Sequence, residues 1–133
     1  MVPFTDAAGP RILIVDDQAS NVKLLEHTLR RAGYAEVMST TEPRKVAALH
    51  EQHHYDLIML DLQMPEMSGF EVMEQLRIVK DAHPVSILVL SADGTQNQAV
   101  LNGGGDSFLG KPFRLPDVVE RVGLMLKPNF VNR

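Results

Sequence analysis

Ile12-Leu13-Ile14-Val15-Asp16-Asp17 runs apolar for four residues and then stops on two carboxylates. A short run of Ile, Leu and Val reads as a strand buried on both faces, the pattern of a parallel sheet. The same pattern recurs at Leu57-Ile58-Met59-Leu60-Asp61, Ile87-Leu88-Val89-Leu90-Ser91 and Phe108-Leu109-Gly110-Lys111-Pro112. In open parallel sheets the binding crevice lies outside the carboxyl ends of the strands. If these four strands are parallel neighbours, Asp16, Asp17, Asp61, Ser91 and Lys111 converge on one edge.

Helical patterns lie between these runs, so strand and helix alternate five times and an α/β fold with crossover helices is expected. Strands are expected at about 11–16, 36–39, 56–60, 85–90 and 106–109. The first helix takes Ser20 as N-cap, presents Val22, Leu25, Leu29 and Ala32 on one face, and stops at Gly33. The second covers about 42–52, with Pro43 in its first turn. A Ser68-x-x-Glu71 capping box opens the third, which uses Val72, Leu76 and Val79 as its core stripe and extends to about Asp81. The fifth covers about 114–126. The fourth is the exception. Only Gln96 to Asn102 reads as helical before Gly103-Gly104-Gly105 ends it.

The bulk composition is that of one soluble domain. At 133 residues the chain can bury a sizeable core. Its apolar runs fall far short of the roughly 20 residues of a membrane span, and Met1 to Pro10 lacks the features of a secretory signal. With no cysteine, disulfides, thiolate nucleophiles and zinc–thiolate sites are excluded, and a cytoplasmic location is expected. A net charge of −4 without a basic stripe argues against direct nucleic-acid binding.

Three carboxylates held close together repel, so a cation sits among them or a pKa rises. An all-oxygen donor set with room for water suits Mg²⁺. Taken singly, an aspartate after a strand is usually a turn former, a lysine before proline a surface charge, and Ser91 says little. Their coincidence at successive strand ends points to chemistry. Divalent metal, ammonium and hydroxyl around one carboxylate are the parts that stabilise a phosphoryl group in transfer, with the carboxylate as nucleophile.

These residues resemble the receiver domain of two-component response regulators. The matching elements are Asp16-Asp17, Asp61-Leu62-Gln63-Met64-Pro65 with Ser68-Gly69, Ser91-Ala92 and Lys111-Pro112-Phe113. The resemblance implies a flavodoxin-like, doubly wound five-stranded parallel sheet of order 2-1-3-4-5, with helices on both faces. It implies that Asp61 accepts a phosphoryl group from a histidine kinase or phosphotransfer protein. It also implies Mg²⁺ (Mn²⁺ substituting) on Asp17, Asp61 and the Gln63 backbone carbonyl, with Asp16 acting through a water. Lys111 would contact the phosphoryl oxygens, Ser91 would swing in to bond them, and Phe108 would be the switch aromatic. The Lys111–Pro112 bond is expected cis. The domain would catalyse only its own phosphorylation and dephosphorylation, and a phosphorylation-dependent dimer is a possible assembly.

The expected organisation is a flexible tail over 1–10, the receiver domain over 11–126, and a tail or linker start over 127–133. It suits a stand-alone regulator or a piece of a longer regulator or hybrid kinase. The phrase Asn21-Val22-Lys23-Leu24-Leu25 is similar to receivers attached to cyclic-dinucleotide enzymes or hybrid kinases. The departure from the family pattern is the stretch from Ser91 to Lys111, which is somewhat short and carries the glycine triplet, so a shortened or mobile fourth helix is expected. A phosphatase or phosphotransferase of the haloacid-dehalogenase type also uses an aspartyl-phosphate, but needs an acid where Gln63 stands. A flavodoxin-like ligand binder would need a phosphate-cradling loop where Asp16-Asp17-Gln18 would repel the phosphate. His27, His50, His53, His54 and His83 are read as non-metal histidines, and Met64 and Met67 as gap fillers.

Overall fold

Alternate side chains of the run at 12–15 enter two different layers, and that split organises the molecule. The computed structural model describes residues 9–127; of the tails expected at 1–10 and 127–133, residues 1–8 and 128–133 lie outside them. The elements are β1 (Arg11–Val15), α1 (Ala19–Arg31), β2 (Glu36–Thr40), α2 (Val46–His53), β3 (Leu57–Asp61) and α3 (Gly69–Lys80). They continue with β4 (Ser86–Ser91), α4 (Asn97–Asn102), β5 (Ser107–Gly110) and α5 (Leu115–Met125). Single 3-10 turns at Pro43–Lys45 and Gly94–Gln96 lead into α2 and α4. All five strands are parallel, in the order β2-β1-β3-β4-β5. This is the doubly wound, flavodoxin-like order expected.

Leu13, Val15, Ile58, Leu60, Ile87 and Val89 pack with Val46, Val72, Met73, Leu76 and Val100, which places α2, α3 and α4 on one face. Ile12, Ile14, Leu57, Met59, Leu88 and Leu90 pack with Val22, Leu25, Leu29, Val118, Val122 and Met125, which places α1 and α5 on the other. The three inner strands carry apolar residues on both faces because both faces are covered. At the two edges an arginine closes the strand. Arg30 of α1 donates to the carbonyls of Ala35 (3.1 Å) and Val37 (2.7 Å) at β2. Arg121 of α5 donates to the Phe108 carbonyl (3.0 Å) and Ser107 Oγ (2.6 Å) on β5. Both guard backbone that could otherwise pair with another chain.

Several boundaries differ from the expected ones. Helix α1 starts at Ala19 with Gln18 at the N-cap, so Ser20 lies inside the first turn and does not cap it. The physical reason is Asp16, whose Oδ1 accepts the Gln18 N–H at 2.9 Å and turns the chain two residues earlier. The second helical segment begins as the 3-10 turn and becomes α-helical only at Val46. Helix α4 is short, as expected, and its end is well formed. The N–H of Gly105 donates to Val100 at 2.9 Å and that of Gly104 to Leu101 at 3.4 Å, with Gly104 at φ 112. That is a Schellman closure, and it needs a residue tolerant of positive φ at Gly104. Lys80 of α3 then donates to the Gly104 carbonyl at 3.4 Å, tying this turn to the α3 layer.

At the amino edge of the sheet, His50 is fully buried. Its Nε2–H donates to the His83 carbonyl (2.6 Å) and its Nδ1 accepts the Tyr55 N–H (3.1 Å), so the ring is neutral in this tautomer. Burial pushes its pKa down, ahead of the His83 carbonyl bond that opposes it. A histidine with a lowered folded pKa leaves stability intact above its unfolded value, about 6.5, and costs stability as pH falls below it. The NMR titration midpoint of His50 is therefore expected below about 6.5. The thermal midpoint should also fall more steeply on acidification than in His50→Gln. A midpoint at or above the free-imidazole value would contradict this.

Candidate functional site

The strand order reverses at β1, with β2 on one side and β3 on the other, so a crevice opens between β1 and β3 at their carboxyl ends. Asp16 and Asp17 follow β1 directly, and Asp61 is the last residue of β3. Each offers a carboxylate oxygen, and these atoms all lie within 4.8 Å of one another. Asp16 and Asp61 are buried while Asp17 is partly exposed, so the cluster is open to solvent on one side. No imidazole or thiolate joins them among the described residues. Three hard oxygen donors with one open side fit a small divalent cation that keeps part of its water shell.

Strand β4 brings Ser91, also buried, and β5 leads directly into Lys111. The Lys111 N–H donates to the Ser91 carbonyl at 2.7 Å, and Lys111 Nζ lies 3.3 Å from Asp61 Oδ1. Lys111–Pro112 is cis. Ser91 Oγ accepts the Asp93 N–H at 3.1 Å. The Gln63 N–H lies 3.4 Å from Asp61 Oδ1, a long contact that curls the loop back over the carboxylate. Phe108 is partly buried and packs on the layer that holds α3 and α4. Thus every residue expected from the sequence falls at the carboxyl edge or, for Phe108, in the strand leading to it.

Burial raises the pKa of Asp61, Lys111 pulls it down, and the Asp16 charge pushes it up again. The net direction is up, so desolvation outweighs one ammonium. The carboxylate is held at a cost in the metal-free protein.

Two supporting residues are not among the site residues expected from the sequence. Asn21 of α1 donates from Nδ2 to Asp16 Oδ2 at 3.3 Å, holding that carboxylate between helix and strand. Gly69 lets α3 approach the loop after β3. A Cβ there would stand 2.8 Å from Leu62 Cα and 2.9 Å from the Asp61 carbonyl. Its N–H donates to the Leu62 carbonyl at 2.8 Å, and the capping box of Ser68 and Glu71 is formed as expected.

The fold and site together define a doubly wound domain with an acidic, lysine-flanked pocket at its switch point. A profile of the response regulator receiver domain matches residues 12–123. Among curated relatives, the chain is 30% identical over 117 residues to the cell cycle transcriptional regulator CtrA of Caulobacter vibrioides, covering 88% of this chain and 50% of that protein. It is 36% identical over 120 residues to the DNA-binding dual master transcriptional regulator RpaA of Synechocystis, covering 89% and 49%. The chain thus spans about half the length of these relatives. Among solved structures, a receiver domain from Bermanella marisrubri superposes with a TM-score of 0.80 at 29% identity, covering 88% and 98% of the two chains. The chemotaxis response regulator CheY4 of Vibrio cholerae gives 0.79 at 29% identity, covering 87% and 98%. The chain belongs to the response regulator receiver family.

Two outcomes follow from this geometry. Asp61→Asn should raise the stability of the metal-free protein at neutral pH by about 1–2 kcal/mol, since it removes a buried like charge. Thermal melts in chelator check this, and an unchanged midpoint would count against a repelling cluster. Gly69→Ala should cost about 1–3 kcal/mol, because backbone and not a flexible side-chain end stands in the way. Denaturant unfolding of that variant measures it.

Proposed function

We propose that this domain is a phosphoacceptor in a two-component system, with Asp61 taking a phosphoryl group from phosphohistidine on a histidine kinase or phosphotransfer protein. The observation that carries the reading is one buried carboxylate, Asp61, lying between two further aspartates and an ammonium 3.3 Å away. The receiver domain is assigned to residues 11–126.

An Asp61 Oδ bonds to phosphorus, the P–N bond to the donor imidazole breaks, and its electron pair returns to the ring nitrogen. Lys111 already faces Asp61 and would follow the negative charge onto the phosphoryl oxygens. Ser91 Oγ uses a lone pair for the Asp93 N–H, so its own O–H is available for a phosphoryl oxygen. Movement of Ser91 towards that oxygen would vacate space beside β4, into which Phe108 can turn. Asp17, Asp61 and the Gln63 backbone carbonyl would hold Mg²⁺, or Mn²⁺ in its place, with Asp16 acting through a water. When bound, the ion supplies positive charge against the three carboxylates and the incoming phosphoryl group.

The chemistry modifies the domain itself, so phosphorylation and dephosphorylation of Asp61 are its only reactions and no external substrate is turned over. Among the described residues no helix is long and apolar enough to cross a membrane; the cytoplasmic setting belongs to the two-component reading itself. CtrA and RpaA are named as transcriptional regulators. By analogy the modified surface would act on an effector or a partner protein, including a second phosphorylated copy, and this domain would not itself contact nucleic acid.

Acetyl phosphate with Mg²⁺ should add one phosphate to the wild type, read by intact mass. Beryllofluoride with Mg²⁺ should bind it, read by fluorine NMR. Neither should occur in Asp61→Asn or in chelator. Phosphate on another residue of the wild type would overturn the assignment.

A further inference from the structure

The methionines of this chain are buried with one exception among the described residues. Met38, on the edge strand β2, is 39% exposed, whereas Met59, Met64, Met67, Met73 and Met125 are each at 8% or less. Behind Met38 lies Tyr55, which is 1% exposed, its ring against His50 and His53 at centroid separations of 6.1 and 5.7 Å. The Tyr55 hydroxyl donates to Met38 Sδ at 3.4 Å and has no second partner among the described residues. Burial raises the Tyr55 pKa, with Arg11 opposing it, so the hydroxyl keeps its proton at neutral pH. A thioether sulfur is a weak acceptor, whereas a buried tyrosine hydroxyl usually finds a full one. The donor is therefore held against a group that satisfies it poorly, and one oxygen atom on that sulfur would satisfy it well.

We propose that Met38 is a modification site for peroxides, oxidised to a sulfoxide whose oxygen accepts the Tyr55 O–H. A sulfur lone pair attacks one oxygen of hydrogen peroxide, the S–O bond forms and the O–O bond breaks. The hydroxide that leaves takes the proton from the oxygen now on sulfur and departs as water. Sulfur is oxidised by two electrons and the peroxide is reduced by two. The lone pair that faces Tyr55 is screened by its hydrogen bond, so the one facing solvent reacts and a single epimer predominates. Rotation about the Cγ–Sδ bond then brings the new oxygen to the hydroxyl. Sulfoxide reductases, drawing two electrons from a dithiol, reverse the step with loss of water. A sulfoxide disrupts a core, but Met38 stands at the edge of the sheet with solvent on one side. None of this depends on Asp61 as the acceptor.

Limited treatment with hydrogen peroxide, followed by tryptic peptide mass mapping, tests the site. Met38 is the single methionine between Arg31 and Arg44, whereas Met59, Met64, Met67 and Met73 share the peptide that ends at Arg77. The Met38 peptide should gain one oxygen about tenfold faster, following exposure. Equal or slower oxidation there would overturn the site, and this comparison needs no variant. Two further readouts test the hydroxyl. In wild type, one of the two sulfoxide reductases, each of which takes one epimer, should remove most of the added oxygen. In Tyr55→Phe, which lacks only the hydroxyl, both epimers should form in about equal amounts. Oxidised wild type should melt at or above the reduced protein, and oxidised Tyr55→Phe below its own reduced form. Equal epimers in wild type, or the same thermal shift on oxidation with and without the hydroxyl, would overturn the Tyr55 contact.

Discussion

Mutual repulsion among Asp16, Asp17 and Asp61 is the constraint around which the rest is built. Three carboxylate oxygens within 4.8 Å would spread apart if their backbones could move. They cannot, because β1 and β3 are hydrogen-bonded neighbours with apolar layers on both faces. The Leu62 N–H donates to the Leu90 carbonyl at 3.0 Å, which fixes the start of the loop after Asp61 as well. Lys111 offsets part of the repulsion, yet burial still carries the Asp61 pKa upwards. Packing of the whole sheet thus holds a charge arrangement that a cation or a phosphoryl group with its metal can relax.

The two helical layers serve this edge differently. On the α1–α5 side, Asn21 steadies Asp16 and the exposed Leu24 lines an apolar groove beside the site. On the other side, Gly69 brings α3 against the loop that carries Gln63 and Met64. Phe108 stands between the layers: its ring packs with the α3–α4 core while its carbonyl accepts from Arg121 of α5. A shift of β5 would therefore be felt by helices on both faces. Short α4 is anchored through its closing turn to Lys80, so this part of the surface is small without being loose in its hydrogen bonding.

Much of this was legible before any coordinates. The inner strands are readable because a strand covered on both faces must be apolar at every position, so its first polar residue marks the edge. That logic located Asp16, Asp61 and Ser91 to within one residue of their strand ends. Lys111 is marked by the same logic more faintly, since β5 is an edge strand with partly buried residues. Ser20 misled because serine is a favourable N-cap by type, whereas the actual start of α1 is set by Asp16 turning the chain at Gln18. Asn21 was not readable as a site residue, since its role is a side chain reaching back five positions. The glycine triplet announced the end of α4 but not the Schellman bonds that make the end orderly.

By itself the sequence determined the strand and helix alternation, the chemistry available and the edge to which it is confined. Those follow from local periodicity and from the cost of burying a charge inside a sheet. Tertiary structure alone decided what lies against what: Lys111 at 3.3 Å from Asp61 across 50 residues, and Asn21 on Asp16. It alone decided that Leu24, which the helical period already leaves off the buried stripe, would line a groove with Ala92 and Phe113. Such contacts depend on crossover helices laying distant segments side by side, and no local pattern records the distance between two residues on different strands.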